Sequence, residues 1–429
     1  MTGRGRAFLL AVMILGGAGV AWQITTRAVA HRFAQSDPSI ALSWSSADPE
    51  ALTRLSDQHL AGQGAAKNLA AAETLARRAI VVAPLQAEAL RNLGLIADAR
   101  RDHARAQAIL IRAGYRGYRD VGTDAWLLQH ALAGGALQEA FLRFDAILRT
   151  EPELADRLFP ALAAVAGIPL TVGPLSKRLQ SNPPWRTAAL TYLGEHASDI
   201  RPIIALYNQL AAAGSPPTET EQGALLSRMI KDGQFADARH LWVSLIPAAP
   251  KPSELVYDGR FRGLVGPPPF NWSLVEPPGV AVQSAKADGR RSTGLFVQYP
   301  VRDRARFAEQ LLVLPPGTYR FTVRYRIATA AAGADLGWIL RCASEGPPLM
   351  ESRQKGDAVT AWAAVGASFT VPADCPAQWL RLDGRAGDGF GDLSAFYDDV
   401  AVTPGESGEG VMMPRCWRGI RRPRRQPCA

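Results

Sequence analysis

The spacing of apolar residues changes once along this chain, and that change limits what it can fold into. Up to about residue 247 the apolar residues recur at helical intervals. Beyond about residue 257 they alternate, as in a strand with one buried face. The boundary is proline-rich: PAAPKP at 247–252, then LVGPPPFNWSLVEPPGVAV at 264–282. Proline lacks the N–H a helix needs and pushes the preceding residue toward extended backbone. The second stretch therefore reads as the entry to a β domain, with Phe270 and Trp272, two residues apart, expected on one side. Residues 251–256 are the expected linker.

Short runs between Gly and Pro clusters follow, among them STGLFVQYP, LGWILRC, AVGASFTVP, QWLRLDG and AFYDDVAVTP. In TYRFTVRYRIA, Tyr319, Phe321, Val323, Tyr325 and Ile327 alternate with Arg320, Thr322, Arg324 and Arg326. Seven or more such strands over 257–403 indicate an antiparallel sandwich. Of its four tryptophans, Trp338 and Trp379 sit in apolar strands and read as core. Trp272 and Trp362 have more polar neighbours and are the candidates for glycan stacking.

The first half repeats itself. Ala72, Ala106 and Ala140 are spaced by 34, as are Ala76, Leu110 and Phe144, and Ala79, Ala113 and Ile147. Small residues at fixed places in a 34-residue period let paired helices approach closely. With Gly94, these residues (Ala72, Ala106, Ala140, Leu110, Phe144) are the expected packing positions. The pattern over 48–155 resembles the tetratricopeptide repeat family. It departs from that pattern at Tyr118, in place of the terminal proline, and at Ala97, in place of an aromatic. The resemblance implies a superhelix whose groove holds a protein partner. Further helix pairs are expected over 156–250, the last turned by Lys231-Asp232-Gly233.

Residues 7–22, AFLLAVMILGGAGVAW, are uncharged and follow Arg4 and Arg6. Extended to Ile24, the run is long enough as a helix to span about 27 Å, close to a hydrocarbon core. Two readings compete: an uncleaved signal-anchor, assigned to 1–26 and followed by a linker at 27–47, or a signal peptide cleaved after Ala28-Val29-Ala30. The anchor is favoured, because Arg27 and the polar 23–26 segment separate that motif from the apolar run. It places the bulk of the chain beyond a bacterial inner membrane, in the periplasm. Cys342 and Cys375 fit a disulfide there, with two buried thiols as the alternative. Cys416 and Cys428 fall in a basic tail, 404–429, read as disordered. Formal charge is +9 over 429 residues and the tail supplies +4 of it, so no nucleic-acid partner is expected.

DGRF (258–261), FNW (270–272), LPPGTYRFTVRYR (314–326) and FYDDVAV (396–402) resemble phrases of jelly-roll carbohydrate-binding modules with a galactose-binding-like fold. That resemblance implies glycan binding and a calcium ion between the first and last strands, where Asp258, Asp398 and Asp399 fall. The alternative is that these are turn and strand-end carboxylates, with Asp398-Asp399 pinned by arginines. The whole arrangement resembles bacterial envelope proteins associated with exopolysaccharide synthesis and export.

No reaction is legible. The six histidines form no HExxH or close ligand pair, GESGE (405–409) lacks the glycine of a nucleophile elbow, and GDGFGD (387–392) reads as a turn. The expectation is a multidomain α + β protein: a transmembrane helix, a helical superhelix and a C-terminal jelly-roll sandwich. It would act without catalysis, through protein and polysaccharide binding. A glycan-modifying enzyme whose carboxylates meet only in three dimensions, and a purely structural scaffold, are the alternatives.

Overall fold

The computed structural model describes residues 3–405, apart from 62–67, 118, 248–249, 252, 287–292, 301–303, 332–334, 345, 356 and 386–390; the side chains of 3–16 also lie outside the description. Tyr118, GESGE, most of GDGFGD, Cys416, Cys428 and the basic tail therefore fall mainly or wholly outside it. The chain divides into two compact units, 1–213 and 214–429.

Unit 1 is helical. Its elements are α1 (Gly3–Ala34), α2 (Pro38–Trp44), α3 (Pro49–Ala61), α4 (Leu69–Val82), α5 (Ala87–Ala99), α6 (His103–Arg116), α7 (Val121–Ala133), α8 (Leu137–Thr150), α9 (Ala155–Ala166), α10 (Val172–Leu179), α11 (Arg186–His196) and α12 (Arg201–Ala212). The 34-residue step is explicit in where helices start: 69, 103 and 137 for α4, α6 and α8, and 87 and 121 for α5 and α7. Side-chain caps fix some of these starts, with Asn68 accepting from Ala71 N and Asp102 from Arg105 N. Ala72, Ala106 and Ala140 are buried, as are Leu110 and Phe144. Gly94 allows α5 to touch α6: a Cβ there would stand 2.4 Å from Leu110 Cγ. An ion pair follows the same step, since Arg91 Nη2 meets Asp57 Oδ1, 34 residues earlier, at 2.8 Å.

The segment 27–47 is not a linker. Helix α1 runs without a break to Ala34, and α2 and α3 fold back on it. Ala30 and Ala34 are fully buried against Ala41 and Ala51. Alanines at i and i+4 share one helix face, so their burial turns a segment that looks polar and short-ranged into a packed one. Among the described residues no single helix is long and apolar enough to cross a membrane; the side chains of 7–16 lie outside the description.

Unit 2 opens with a helix pair, α13 (Glu219–Lys231) and α14 (Phe235–Leu245). Thr218 and Glu221 close a reciprocal capping box at its start. Ten strands follow: β1 (Ser273–Leu274), β2 (Ala281–Lys286), β3 (Thr293–Pro300), β4 (Ala305–Leu312), β5 (Gly317–Thr329), β6 (Asp335–Cys342), β7 (Pro348–Lys355), β8 (Val359–Val371), β9 (Gln378–Arg385) and β10 (Asp392–Pro404). They form two antiparallel five-stranded sheets. Sheet A has the order β1-β4-β9-β6-β7, and sheet B the order β2-β3-β10-β5-β8. The core between them holds Trp338, Phe321, Tyr397, Leu380 and Leu382. Tyr319, Phe321, Val323 and Ile327 of β5 point into it.

The proline stretch joins the helix pair to the sandwich. Trp242 Nε1 of α14 donates to Pro267 O at 2.9 Å, and Gly266 N donates to Glu219 Oε1 at 2.9 Å. Phe270 and Trp272 do not share a side. Phe270 packs on Trp242, with ring centroids 5.9 Å apart, whereas Trp272 packs on Phe261 and Trp338 at 5.0 and 5.7 Å. Alternation applies only within regular strand, and β1 begins at Ser273, after both residues.

Candidate functional site

Most residues singled out from sequence prove to be structural. Asp258 sits in a tight loop and its carboxylate is occupied by backbone amides. Oδ1 accepts from Arg262 N at 2.9 Å, and Oδ2 from Gly263 N and Leu264 N at 2.9 and 3.0 Å. Asp399 pairs with Arg260 at 2.6 Å and Arg324 at 3.4 Å. Asp398 accepts from Asp399 N at 2.7 Å, and burial pushes its carboxyl up. A calcium ion needs several converging, unengaged oxygens. These three carboxylates are instead committed to amides and guanidinium groups, so they do not fit that ion. Among the described residues no group of three or more His, Cys, Asp or Glu is placed to hold a metal. DGRF and FYDDV do meet, through Val400 N to Gly259 O at 2.8 Å and the Arg260–Asp399 pair. Their contact pins the last strand to the domain entry.

Trp272 is not a surface platform. It is 9% exposed, its rings touch Phe261 and Trp338, and its Nε1 donates to Asp258 O at 3.1 Å. Polar neighbours in sequence misled here, because the ring is packed by Phe261 and Trp338, which are remote in sequence. Trp362 is half-buried on β8 with the Arg324 guanidinium 5.4 Å above it. Trp338 is fully buried, but Trp379 is half-buried on the outer face of sheet A, with Arg381 5.3 Å above it. Cys342 and Cys375 form a disulfide with Cα atoms 5.5 Å apart. It ties the end of β6 to the crossover between β8 and β9, where Gln378 Nε2 donates to Cys375 O at 2.8 Å and Ala343 N to Ala377 O at 2.8 Å.

The feature that sequence reading missed is a cleft on the outer face of sheet A. It encloses about 300 Å³ and is lined by Arg304, Ala305, Arg306, Ile339, Arg341, Glu351, Arg353, Asp383, Gly384 and Arg385. Strand register builds it. One row across the sheet reads Arg306, Asp383, Gly337, Arg353, and the next reads Glu309, Arg381, Ile339, Glu351. With strands about 4.8 Å apart, each row is about 14 Å long. Within these rows β6 contributes Gly337 and Ile339, small or apolar, so the floor is low there and the arginines form the walls. Gly337 matters for this: a Cβ there would lie 2.9 Å from Arg353 Cγ and Nη1, so its absence lets Arg353 lie across β6.

The walls are charged and cross-linked. Arg353 pairs with Asp335 at 2.6 Å and with Glu351, and Arg385 pairs with Glu351 at 2.9 Å. Arg306 reaches Glu309 at 3.1 Å and Asp383 at 3.7 Å, and Arg381 reaches Glu309 at 3.0 Å. The Arg353 hydrogen bond holds the Glu351 carboxyl below its usual range, while burial pushes that of Asp383 up. Five arginines against two carboxylates leave the lining at a formal +3. Arg341 donates to Gly346 O at 3.0 Å and, like Arg304, forms no ion pair with a carboxylate among the described residues, though its charge adds to the lowering of Glu351. In principle the alternation was legible: Trp379, Arg381, Asp383 and Arg385 are every second residue of QWLRLDGR. Which face they take, and what stands beside them, is set by pairing.

The sequence matches no protein-family model and no curated protein. Solved structures to which it is similar include the C-terminal family 22 carbohydrate-binding module of Clostridium thermocellum, at 17% identity and TM-score 0.27, covering 36% of this chain and 97% of that one. A xylan-binding domain from Paenibacillus barcinonensis has 13% identity and TM-score 0.24, covering 31% and 85%. The TmCBM61 module in complex with β-1,4-galactotriose has 13% identity and TM-score 0.24, covering 36% and 97%.

Proposed function

We propose that this protein is a membrane-anchored interaction protein without catalytic activity, facing the bacterial periplasm and acting in exopolysaccharide assembly or export. Its sandwich binds polysaccharide and its 34-residue helix hairpins, resembling tetratricopeptide repeats, hold a protein partner. The observation that carries this reading is the cleft on sheet A, an open groove whose arginines and carboxylates offer donors and acceptors to a polyhydroxylated ligand. Glu351 is hydrogen-bonded and ion-paired to Arg353 and Arg385, which favours binding over acid–base chemistry at that carboxylate. The disulfide suits an oxidising compartment. The anchor is uncleaved in this reading, since Ala30, the last residue of the A-x-A motif, is core of unit 1.

The test is affinity electrophoresis of the detergent-solubilised full chain through gels carrying neutral and acidic polysaccharides. Retardation by at least one polymer is expected; mobility unchanged across a broad panel removes the glycan half of the proposal. Intact mass of the membrane-extracted protein checks the anchor: loss of residues 1–30 contradicts it.

A further inference from the structure

Resting on the glycan reading above, we infer that the sheet A cleft selects an acidic polysaccharide, one bearing carboxylates such as uronate units, and that Arg304 and Arg341 are the residues that choose it. The arginines in the cleft fall into two classes. Arg306, Arg353 and Arg385 are held by Glu309, Asp335, Glu351 and Asp383, so their geometry is fixed and their charge largely matched. Arg304 and Arg341 line the same cleft, are exposed and, among the described residues, form no ion pair with a carboxylate, although the Arg341 charge is felt by Glu351. A guanidinium fork matches a carboxylate in bidentate fashion, which is the contact these two have available.

The acceptors narrow the ligand further. Among the described residues Glu351 accepts from Arg353 and Arg385 on Oε1, and Oε2 is the oxygen that can meet a ligand hydroxyl. A face that mixes fixed acceptors with unmatched guanidinium groups fits a polyhydroxylated chain with spaced negative charges. It suits nucleic acid poorly. Carboxylates among the arginines oppose a continuous phosphate backbone. Trp379 stands opposite Arg341 in the β6–β9 register, where a ring at the end of the cleft can meet the C–H face of one sugar.

The experiment measures binding of the full chain, in detergent, to polygalacturonate, to the same polymer after reduction of its carboxyls to alcohols, to dextran and to single-stranded DNA. Polygalacturonate is expected to bind, and to weaken as salt rises. Carboxyl reduction is expected to weaken it about tenfold or more, and Arg341→Ala or Arg304→Ala about tenfold each. Arg341→Lys should recover only part of the loss, because a point charge replaces a fork. Both arginines are exposed, so unchanged thermal melting of the variants separates a binding defect from misfolding. Equal binding of the reduced polymer or dextran, unaffected by these substitutions, overturns the selectivity while the glycan reading stands. DNA bound as tightly as polygalacturonate overturns it as general polyanion attraction. Binding of no glycan at all overturns both.

Discussion

Breaking the Cys342–Cys375 bond is expected to destabilise unit 2 and leave unit 1 untouched. The two cysteines are 33 residues apart. A cross-link closing a loop of that length removes chain entropy worth about 3.7 kcal/mol from the unfolded state at 25 °C. Cys342→Ala isolates this effect, because Cys342 is only half-buried and its loss opens little cavity, while Cys375 stays packed as a buried thiol. For a unit of this size, the loss corresponds to a fall in Tm of about 7–15 °C. Calorimetry of the full chain should show one transition moving and the other fixed, and dithiothreitol should move the wild-type transition to the variant's position. A shift under about 2 °C, or a reductant that lowers the variant as much as the wild type, refutes the argument. A small shift would mean that the crossover at 372–378 is held by its own hydrogen bonds, chiefly those of Gln378 with Cys375 O and Leu314 N, and a reductant effect on the variant would mean that the reductant acts elsewhere in the chain.

Other consequences are sharper for folding than for binding. Gly94→Ala should cost unit 1 about 1–3 kcal/mol by denaturant unfolding, and Gly94→Ala with Leu110→Ala should cost less than the sum of the two singles, because the new methyl group meets Leu110 Cγ. Trp272→Ala should cost about 3–5 kcal/mol and Trp362→Ala under about 1 kcal/mol, in the same assay. Equal effects would contradict the assignment of one ring to the core and the other to the surface. Burial raises the Asp383 carboxyl, so the folded state holds that proton more tightly than the unfolded chain does. The resulting stability is full below the unfolded value of about 3.9 and is lost as pH rises through the folded one. Asp383→Asn should therefore raise Tm at pH 7, and its advantage should vanish in melts below about pH 3.9.

Local chemistry determined much of this protein. A 34-residue recurrence of small residues means repeated helix pairs, because close helix approach needs alanine or glycine at the contact, and Ala72, Ala106 and Gly94 stand at such contacts. Alternation in TYRFTVRYRIA means a strand with one buried face, since side chains on a pleated strand alternate. Cys342 and Cys375 were a reasonable pair, and they are bonded.

Everything that depends on what lies opposite had to wait for the tertiary structure. Ala30 and Ala34 resemble linker residues until Ala41 and Ala51 cover them. Asp258 and Asp399 resemble cation ligands until backbone amides and arginines take their oxygens. Trp272 and Trp379 exchange their expected places, because burial of a ring is decided by the loop or sheet packed on it and not by its chain neighbours. The cleft is the extreme case. Its walls come from β4, β9, β6 and β7, residues up to about 80 positions apart that are neighbours only because strand pairing sets them about 4.8 Å apart in one register. A sequence specifies which residues alternate on a strand. The sheet's order decides which alternations meet, and so where five arginines become one surface.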